Sequence, residues 1–260
     1  MSTHLFSIIT ICYNSAKTIE RTIKSVLAQT YTDYEYIIVD GVSKDNTLEI
    51  VNQYKEAFGD KLIVSSEPDK GIYDAMNKGI KAAKGEIVGI VNSDDWLEPD
   101  ALYNVYQQYN ASLYKDQTLF CGWIKFHKDR GGDYIMKTSI PQFEKYAKKY
   151  LYKGLRHPAV FVPKQIYDTI GIFDDRMRIA ADADFLLRCY HVGCHFSSVD
   201  IVLSNMAEGG ISTHTTWKNI QLLIKDFKLL LEKYPISRLR YYLIISRHYL
   251  VQIIKMILGR

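Results

Sequence analysis

Four short apolar runs recur across the first 91 residues, spaced by segments of helical periodicity, and this recurrence restricts the fold more than any other feature. Phe6–Cys12 (FSIITIC) is nearly continuous in apolar residues, the pattern of a strand buried on both faces. Residues 36–39, 61–65 and 86–91 supply the later strands. Between the first two, Ile19, Ile23, Val26 and Leu27 fall at i, i+4, i+7 and i+8, one stripe of an amphipathic helix. A second helix is predicted over 46–58 and a third over 72–83, with Gly85 as its stop. Strands alternating with helices in this order predict an α/β chain: a Rossmann-like, mostly parallel central sheet flanked by helices.

Beyond Pro99 the pattern loosens. A helix is expected to about Asn110, strands near 119–126 and 159–162, an irregular basic hairpin around 128–133, and a helix over 182–191. A polar stretch, 207–215, precedes two helices that part at Pro235. The natural division is a main domain over 1–212, halved near residue 98, and a helical region over 213–260.

Ligands of open α/β sheets bind outside the carboxyl ends of the strands. Three predicted strands end there in polar signals: Tyr13-Asn14, Asp40-Gly41 and Ser93-Asp94-Asp95. Carboxylates recurring at one sheet edge suit a base, a ribose and a metal-bound diphosphate. The first turn is Tyr13-Asn14-Ser15-Ala16 with no G-x-G-x-x-G, which argues against a dinucleotide dehydrogenase, and no G-x-x-x-x-G-K-[ST] occurs. Without a glycine nest, a carboxylate-bound Mg²⁺ or Mn²⁺ is the natural partner for phosphates. Plainer accounts stand beside this one. Asp40-Gly41 is also a turn signal, Ser93-Asp94-Asp95 could cap a helix beginning near Pro99, and Tyr13 could be core filler.

Four runs carry a family resemblance: SIITICYN (7–14), IIVDGVSKDNT (37–47), EPDKGIYDAMNKGIKAAKGEIVGIVNSDDW (67–96) and ADADFLLR (181–188). In this order and spacing the chain, from Phe6 to about Gly210, resembles the inverting family 2 glycosyltransferases of GT-A fold used in bacterial surface polysaccharide assembly. The resemblance implies that residues 1–98 bind a nucleotide sugar, with UDP the favoured nucleotide, and that 99–212 receive a saccharide or lipid-linked saccharide acceptor. Thr10, Tyr13 and Asp40 would then line the base pocket, Tyr13 stacking on the base and Asp40 accepting its ring N–H. Asn14, Ser43 and Ser93 would complete the nucleotide site, Asp94 would bind the ribose, and Asp95 would coordinate the metal. The D-x-D position reads Ser93-Asp94-Asp95, so its first carboxylate is missing.

Matching the family's E-D-x-D-x-x-x-R pattern to 181–188 implies that Asp182 is the general base, with Asp184 and Arg188 in support; Ala181 stands where the family often has Glu. An i, i+4 ion pair is the plain account of Asp184 and Arg188, and an N-cap that of Asp182. With one base and no evident second nucleophile, direct displacement with inversion is the economical mechanism. The resemblance also sets Asp69 near the donor, Lys70 against phosphate, and His157 near the acceptor, whereas Lys78 reads as a solvated helix face. The run 209–214 is similar to a mobile loop that closes over the donor, with His214 a further metal ligand.

Charge is uneven. The chain carries +4, yet residues 213–260 hold nine Lys/Arg against two Asp/Glu, so the tail is at +7 and the rest at −3. That distribution opposes a nucleic-acid groove across the main domain and points to a local anionic contact, such as a membrane surface. Residues 241–258 are very apolar but interrupted by Arg247, His248 and Lys255, which excludes a spanning helix and leaves an interfacial helix or one packed on the domain or on a partner subunit. Scattered cysteines and an N-terminus without a signal-peptide pattern lead to the expectation of a cytoplasmic protein, peripheral on the membrane's cytoplasmic face if the tail binds lipid. Two other readings stay open: a nucleotidyltransferase-like enzyme, and a non-catalytic sugar-nucleotide-binding or scaffold protein.

Overall fold

The computed structural model describes residues 4–128, 131–207 and 216–237, together with 239, 243 and 246. Its first part follows the predicted order: β1 (Phe6–Cys12), α1 (Ile19–Leu27), β2 (Tyr34–Asp40), α2 (Thr47–Gln53), α3 (Lys55–Phe58), β3 (Leu62–Ser66), α4 (Ile72–Ala82) and β4 (Ile87–Ile90). These strands lie in the order β3-β2-β1-β4, all parallel. Alternate residues of β1 serve opposite faces: Ile9 and Ile11 pack with Tyr73, Met76 and Ile80 of α4, while Phe6 and Ile8 pack with Ile19, Ile23 and Val26 of α1. A strand covered on both sides has no polar face to show, which is why its sequence is an unbroken apolar run.

Two local details differ from expectation. The helix expected over 46–58 breaks at Tyr54, whose hydroxyl donates to Glu20 Oε1 on α1 (2.7 Å). Gly85 does not cap α4, which ends at Ala82 with Ala83 already extended. A Cβ at Gly85 would lie 2.6 Å from the backbone of Phe6 and Ser7, and its N–H donates to Ser7 Oγ (2.7 Å). The glycine is there so that the chain entering β4 can lie against β1.

The second part is β5 (Trp96–Leu97), α5 (Ala101–Ala111), β6 (Thr118–His127), β7 (Tyr134–Met136), α6 (Ile140–Ala147), β8 (Val160–Pro163), α7 (Lys164–Ile170), α8 (Ala181–His191), β9 (His195–Ala207) and α9 (Trp217–Lys233). The sheet continues β4-β8-β6-β9-β5, with β8 antiparallel to both β4 and β6, β9 parallel to β6, β5 antiparallel to β9, and β7 hydrogen-bonded to β6. Thus β8 reverses the strand direction between two parallel sets.

Helix α9, the start of the basic tail, is built into the main core: Leu230 is buried with Phe185 and Leu187 of α8. No helix among the described residues is long and apolar enough to cross a membrane. Most of 241–258, the segment expected to form an interfacial or packed helix, lies outside the described residues, as do Gly209, Gly210 and His214.

Candidate active site

Parallel pairing sets Cys12, Asp40 and Ser66 side by side, so β1, β2 and β3 end at one edge. Asp40 is fully buried there. Its carboxylate accepts from the Ser43 N–H (3.0 Å), the Ser43 hydroxyl, the Ser66 hydroxyl (2.7 Å) and the Cys12 thiol (3.6 Å). Both oxygens already have two donors, so nothing remains for a base N–H. The expected role of Asp40 is corrected on that ground: it ties three strand ends together. Thr10 is corrected likewise, being fully buried with its Oγ1 accepting from Tyr36 Oη inside the core (3.0 Å).

Asn14 and Ser43 hold the floor of this edge to each other. The Asn14 N–H donates to Ser43 Oγ (2.8 Å), and Asn14 Oδ1 accepts from the Lys44 N–H (2.8 Å). Asn14 takes φ +51°, a left-handed turn that Asn tolerates better than most residues. Ser15 Oγ lies 2.8 Å from Ser93 Oγ, joining this edge to the acidic turn after β4. Tyr13 is 58% exposed, so it is not core filler. Beside it, Asp69 Oδ1 accepts from the Gly71 N–H (2.8 Å) and Lys70 is exposed. Lys78 is held by the Pro68 carbonyl (2.6 Å), Glu67 and Asp74, and so braces the turn before α4.

The acidic turn is stapled from α1. Thr22 Oγ1 donates to the Asp95 carbonyl (2.6 Å), and Arg21 donates to the Asp94 carbonyl (2.7 Å) while stacking over Trp96. Neither aspartate caps α5, whose N-cap position is Asp100. Asp94 is half-buried and Asp95 only 2% exposed. Burial, and then the Asp94 charge, push the Asp95 carboxyl up to about 7; hydrogen bonds from the Asn92 amide (3.1 Å) and the Ala207 N–H oppose them. Asn92 Oδ1, on the same amide that serves Asp95, is a buried oxygen with no partner among the described residues. An underpaired carboxylate beside an orphaned carbonyl oxygen fits a hard divalent cation, which takes oxygen ligands. No cluster of three or more His, Cys, Asp or Glu side chains occurs among the described residues, so phosphate or other oxygens would complete such a shell.

Asp182 sits in the first turn of α8, half-buried, and makes no cap bond. Tyr73 Oη, from the first turn of α4, lies 3.1 Å from its Oδ1 and 2.8 Å from the Ile179 carbonyl. His157 is buried nearby; burial lowers its pKa, and the charge of Asp182 partly opposes that, leaving a neutral imidazole at pH 7. Trp123 carries a buried Nε1–H without a partner among the described residues, and Lys137 lies 4.6 Å over its ring.

Asp184 and Arg188 do form the expected i, i+4 pair (3.0 Å), and they do more. Arg188 donates to the carbonyls of Ile170, Gly171 and Ile172, while fully buried Asp184 also takes Lys233 Nζ and Tyr234 Oη (3.1 Å each). The pair locks α8 to the loop after α7 and to α9.

Sequence reasoning missed Asp226. From α9 its fully buried carboxylate accepts the N–H groups of Arg178 (2.9 Å), Ile179 (2.6 Å) and Ala180 (3.0 Å), the residues leading into Asp182. Arg178 in turn donates to the Lys70 carbonyl. One acid on the tail helix therefore orders the segment that joins the Asp69–Gly71 turn to Asp182. An Asp on a helix among lysines reads as a solvated face, so no signal in the sequence marked it.

The comparisons with known proteins accord with this geometry. A family model described as Glycosyl transferase family 2 matches residues 7–165. A PGL/p-HBAD biosynthesis glycosyltransferase of Mycobacterium bovis is 32% identical over 198 residues, which cover 73% of this chain and 71% of the relative. The chondroitin synthase of Pasteurella multocida is 31% identical over 226 residues, 85% of this chain but 22% of that protein. Among solved structures, S. aureus TarS 1-349 in complex with UDP-GlcNAc superposes with TM-score 0.65 at 21% identity, covering 86% of this chain. The mannosyltransferase PcManGT of Pyrobaculum calidifontis, solved with GDP-Man and Mn²⁺, gives 0.63 at 20% and covers 88%. This chain spans 65% and 64% of those two chains, just under two thirds of each. At such identities the likeness bears on the fold, and the fold is GT-A.

Proposed function

We propose, on the premise that this chain belongs to glycosyl transferase family 2, that it transfers one sugar from a nucleotide-sugar donor to an acceptor hydroxyl with inversion at the anomeric carbon. The observation that carries the reading is the pairing of two differently placed carboxylates. Asp95 is buried and underpaired beside Asn92 Oδ1, which has no partner among the described residues, whereas half-buried Asp182 opens the helix whose lead-in Asp226 holds and Arg178 ties to the Asp69–Gly71 turn. One suits a cation, the other a proton.

The acceptor oxygen attacks the anomeric carbon as the bond from that carbon to the diphosphate oxygen breaks. The hydroxyl proton passes to an Asp182 oxygen, and the nucleoside diphosphate leaves with the bonding pair. Tyr73 Oη, shared between the Ile179 carbonyl (2.8 Å) and Asp182 Oδ1 (3.1 Å), stands against one Asp182 oxygen, and the other would take the acceptor proton. A divalent cation, Mn²⁺ or Mg²⁺, would be held by Asp95 with Asn92 Oδ1 and would supply positive charge against the departing diphosphate. Neutral His157, beside Asp182, is suited to hydrogen-bonding a saccharide acceptor. The names of the relatives, a PGL/p-HBAD biosynthesis glycosyltransferase and a chondroitin synthase, favour a lipid-linked or polysaccharide acceptor.

The test is release of nucleoside diphosphate from a panel of UDP- and GDP-sugars with Mn²⁺ or with chelator, followed by NMR of the product anomer. Metal-dependent release from one donor, with inverted product, is expected. A protein that binds donors but never turns them over would instead be a sugar-nucleotide-binding scaffold.

A further inference from the structure

We propose that Asp69, not Asp40, reads the donor base, accepting the N3–H of a uracil ring stacked on Tyr13. This rests on the nucleotide-sugar reading above and adds which base is chosen and by what atom. Among the strand-end carboxylates, Asp40 has both oxygens filled from within the protein. The space beside it is open only because residue 41 is glycine. A Cβ at Gly41 would fall on Asp69 Oδ2 and lie 3.4 Å from Tyr13 Cδ2. Asp69 therefore reaches over from the turn after β3 into the position that a side chain on β2's end would occupy, against an aromatic ring that is 58% exposed.

The two oxygens of Asp69 are not equivalent. Oδ1 is committed to the Gly71 N–H (2.8 Å), while Oδ2 has no hydrogen-bond partner among the described residues. One fixed, free acceptor beside a π-face asks for a planar ring with a single N–H at the centre of its hydrogen-bonding edge. Uracil has that at N3. Cytosine and adenine present a ring-nitrogen lone pair at the same place, facing a carboxylate lone pair, and guanine's adjacent N1–H and N2–H groups call for both oxygens.

Replacing Asp69 by asparagine reverses the polarity with little change of shape. The amide oxygen can keep the Gly71 N–H, and the NH₂ then stands where Oδ2 was, a donor suited to the cytosine N3 lone pair. The experiment is calorimetric titration of UDP, CDP and GDP into the full chain, wild type, Asp69→Asn and Gly41→Ala, with Mn²⁺ and with a thermal melt of each protein. Wild type should prefer UDP. Asp69→Asn should weaken UDP about tenfold or more, the cost of losing a charge-assisted hydrogen bond, and shift the UDP/CDP ratio toward CDP. Gly41→Ala should weaken UDP with Asp69 intact, because the new methyl displaces the carboxylate. A folded Asp69→Asn protein with the wild-type UDP/CDP ratio overturns the assignment while the glycosyltransferase reading stands. A wild-type preference for GDP does the same. Failure of wild type to bind any of the three would overturn both.

Discussion

Replacing Asp95 by asparagine should stabilise the metal-free protein while removing its response to metal. The carboxyl is only 2% exposed, and burial together with the Asp94 charge raises it from 3.8 to about 7. A group whose folded pKa lies above its unfolded one favours folding fully below the unfolded value, and that advantage is lost as pH rises through the folded value. The window here runs from near pH 4 to just above 7. About three pKa units at 1.36 kcal/mol each give a cost of about 4 kcal/mol for keeping Asp95 ionised at pH 8.5. Asparagine has no charge to bury, so the variant escapes that cost. For a chain of this size about 4 kcal/mol corresponds to a rise in Tm on the order of 10 °C. The assay is a series of thermal melts in chelator from pH 5 to 8.5, repeated with Mn²⁺. The gap between variant and wild type should widen with pH in chelator, and Mn²⁺ should raise the Tm of wild type alone. Parallel curves, with no pH-dependent gap, would refute the idea that the fold holds this charge in reserve for a cation.

Three more outcomes follow from the packing. Asp182→Asn should bind UDP as wild type does yet lose about 10²- to 10⁴-fold in turnover, measured by product formation under saturating donor; a variant keeping most of its rate would remove Asp182 from the base role. Asp226→Asn can set its amide oxygen where Oδ2 accepts all three N–H groups, but it loses the carboxylate charge and turns an NH₂ toward the Arg178 N–H in place of Oδ1, a cost of about 1–3 kcal/mol, and kcat should fall more than donor KM changes. An unaltered Tm and kcat would contradict the positioning role. Gly85→Ala should lower Tm by the equivalent of about 1–3 kcal/mol without altering donor affinity, because its methyl meets immovable backbone of β1 rather than any site residue.

How much of this was legible beforehand follows from what each residue type can signal. The parallel half was readable because strands buried on both faces must be apolar throughout, and β1 runs over the predicted residues. Strand β9 was not: HFSSVDIVLSNMA alternates poorly, being partly exposed over 196–198 and at 201–202, and its partners β6 and β5 lie far away in sequence. The motif acids were found, but motifs do not say which way a carboxylate turns. Asp40 turns in, to Ser43, Ser66 and Cys12, because the loop after β2 folds back over it. Asp69 lies beside Tyr13 because Gly41 leaves room, a fact about a missing side chain. The structural role of Asp184 extends to Lys233 and Tyr234, partners 49 and 50 residues away that no local spacing rule relates.

The central claim, that Asp95 and the Asn92 amide hold a cation for a donor diphosphate, is tested most directly by titrating UDP calorimetrically into the wild-type protein at pH 8, first with Mn²⁺ and then with chelator. Tight binding with Mn²⁺ that is lost in chelator, and lost in Asp95→Asn under both conditions, is the predicted result. Equal UDP affinity with and without the metal would contradict it.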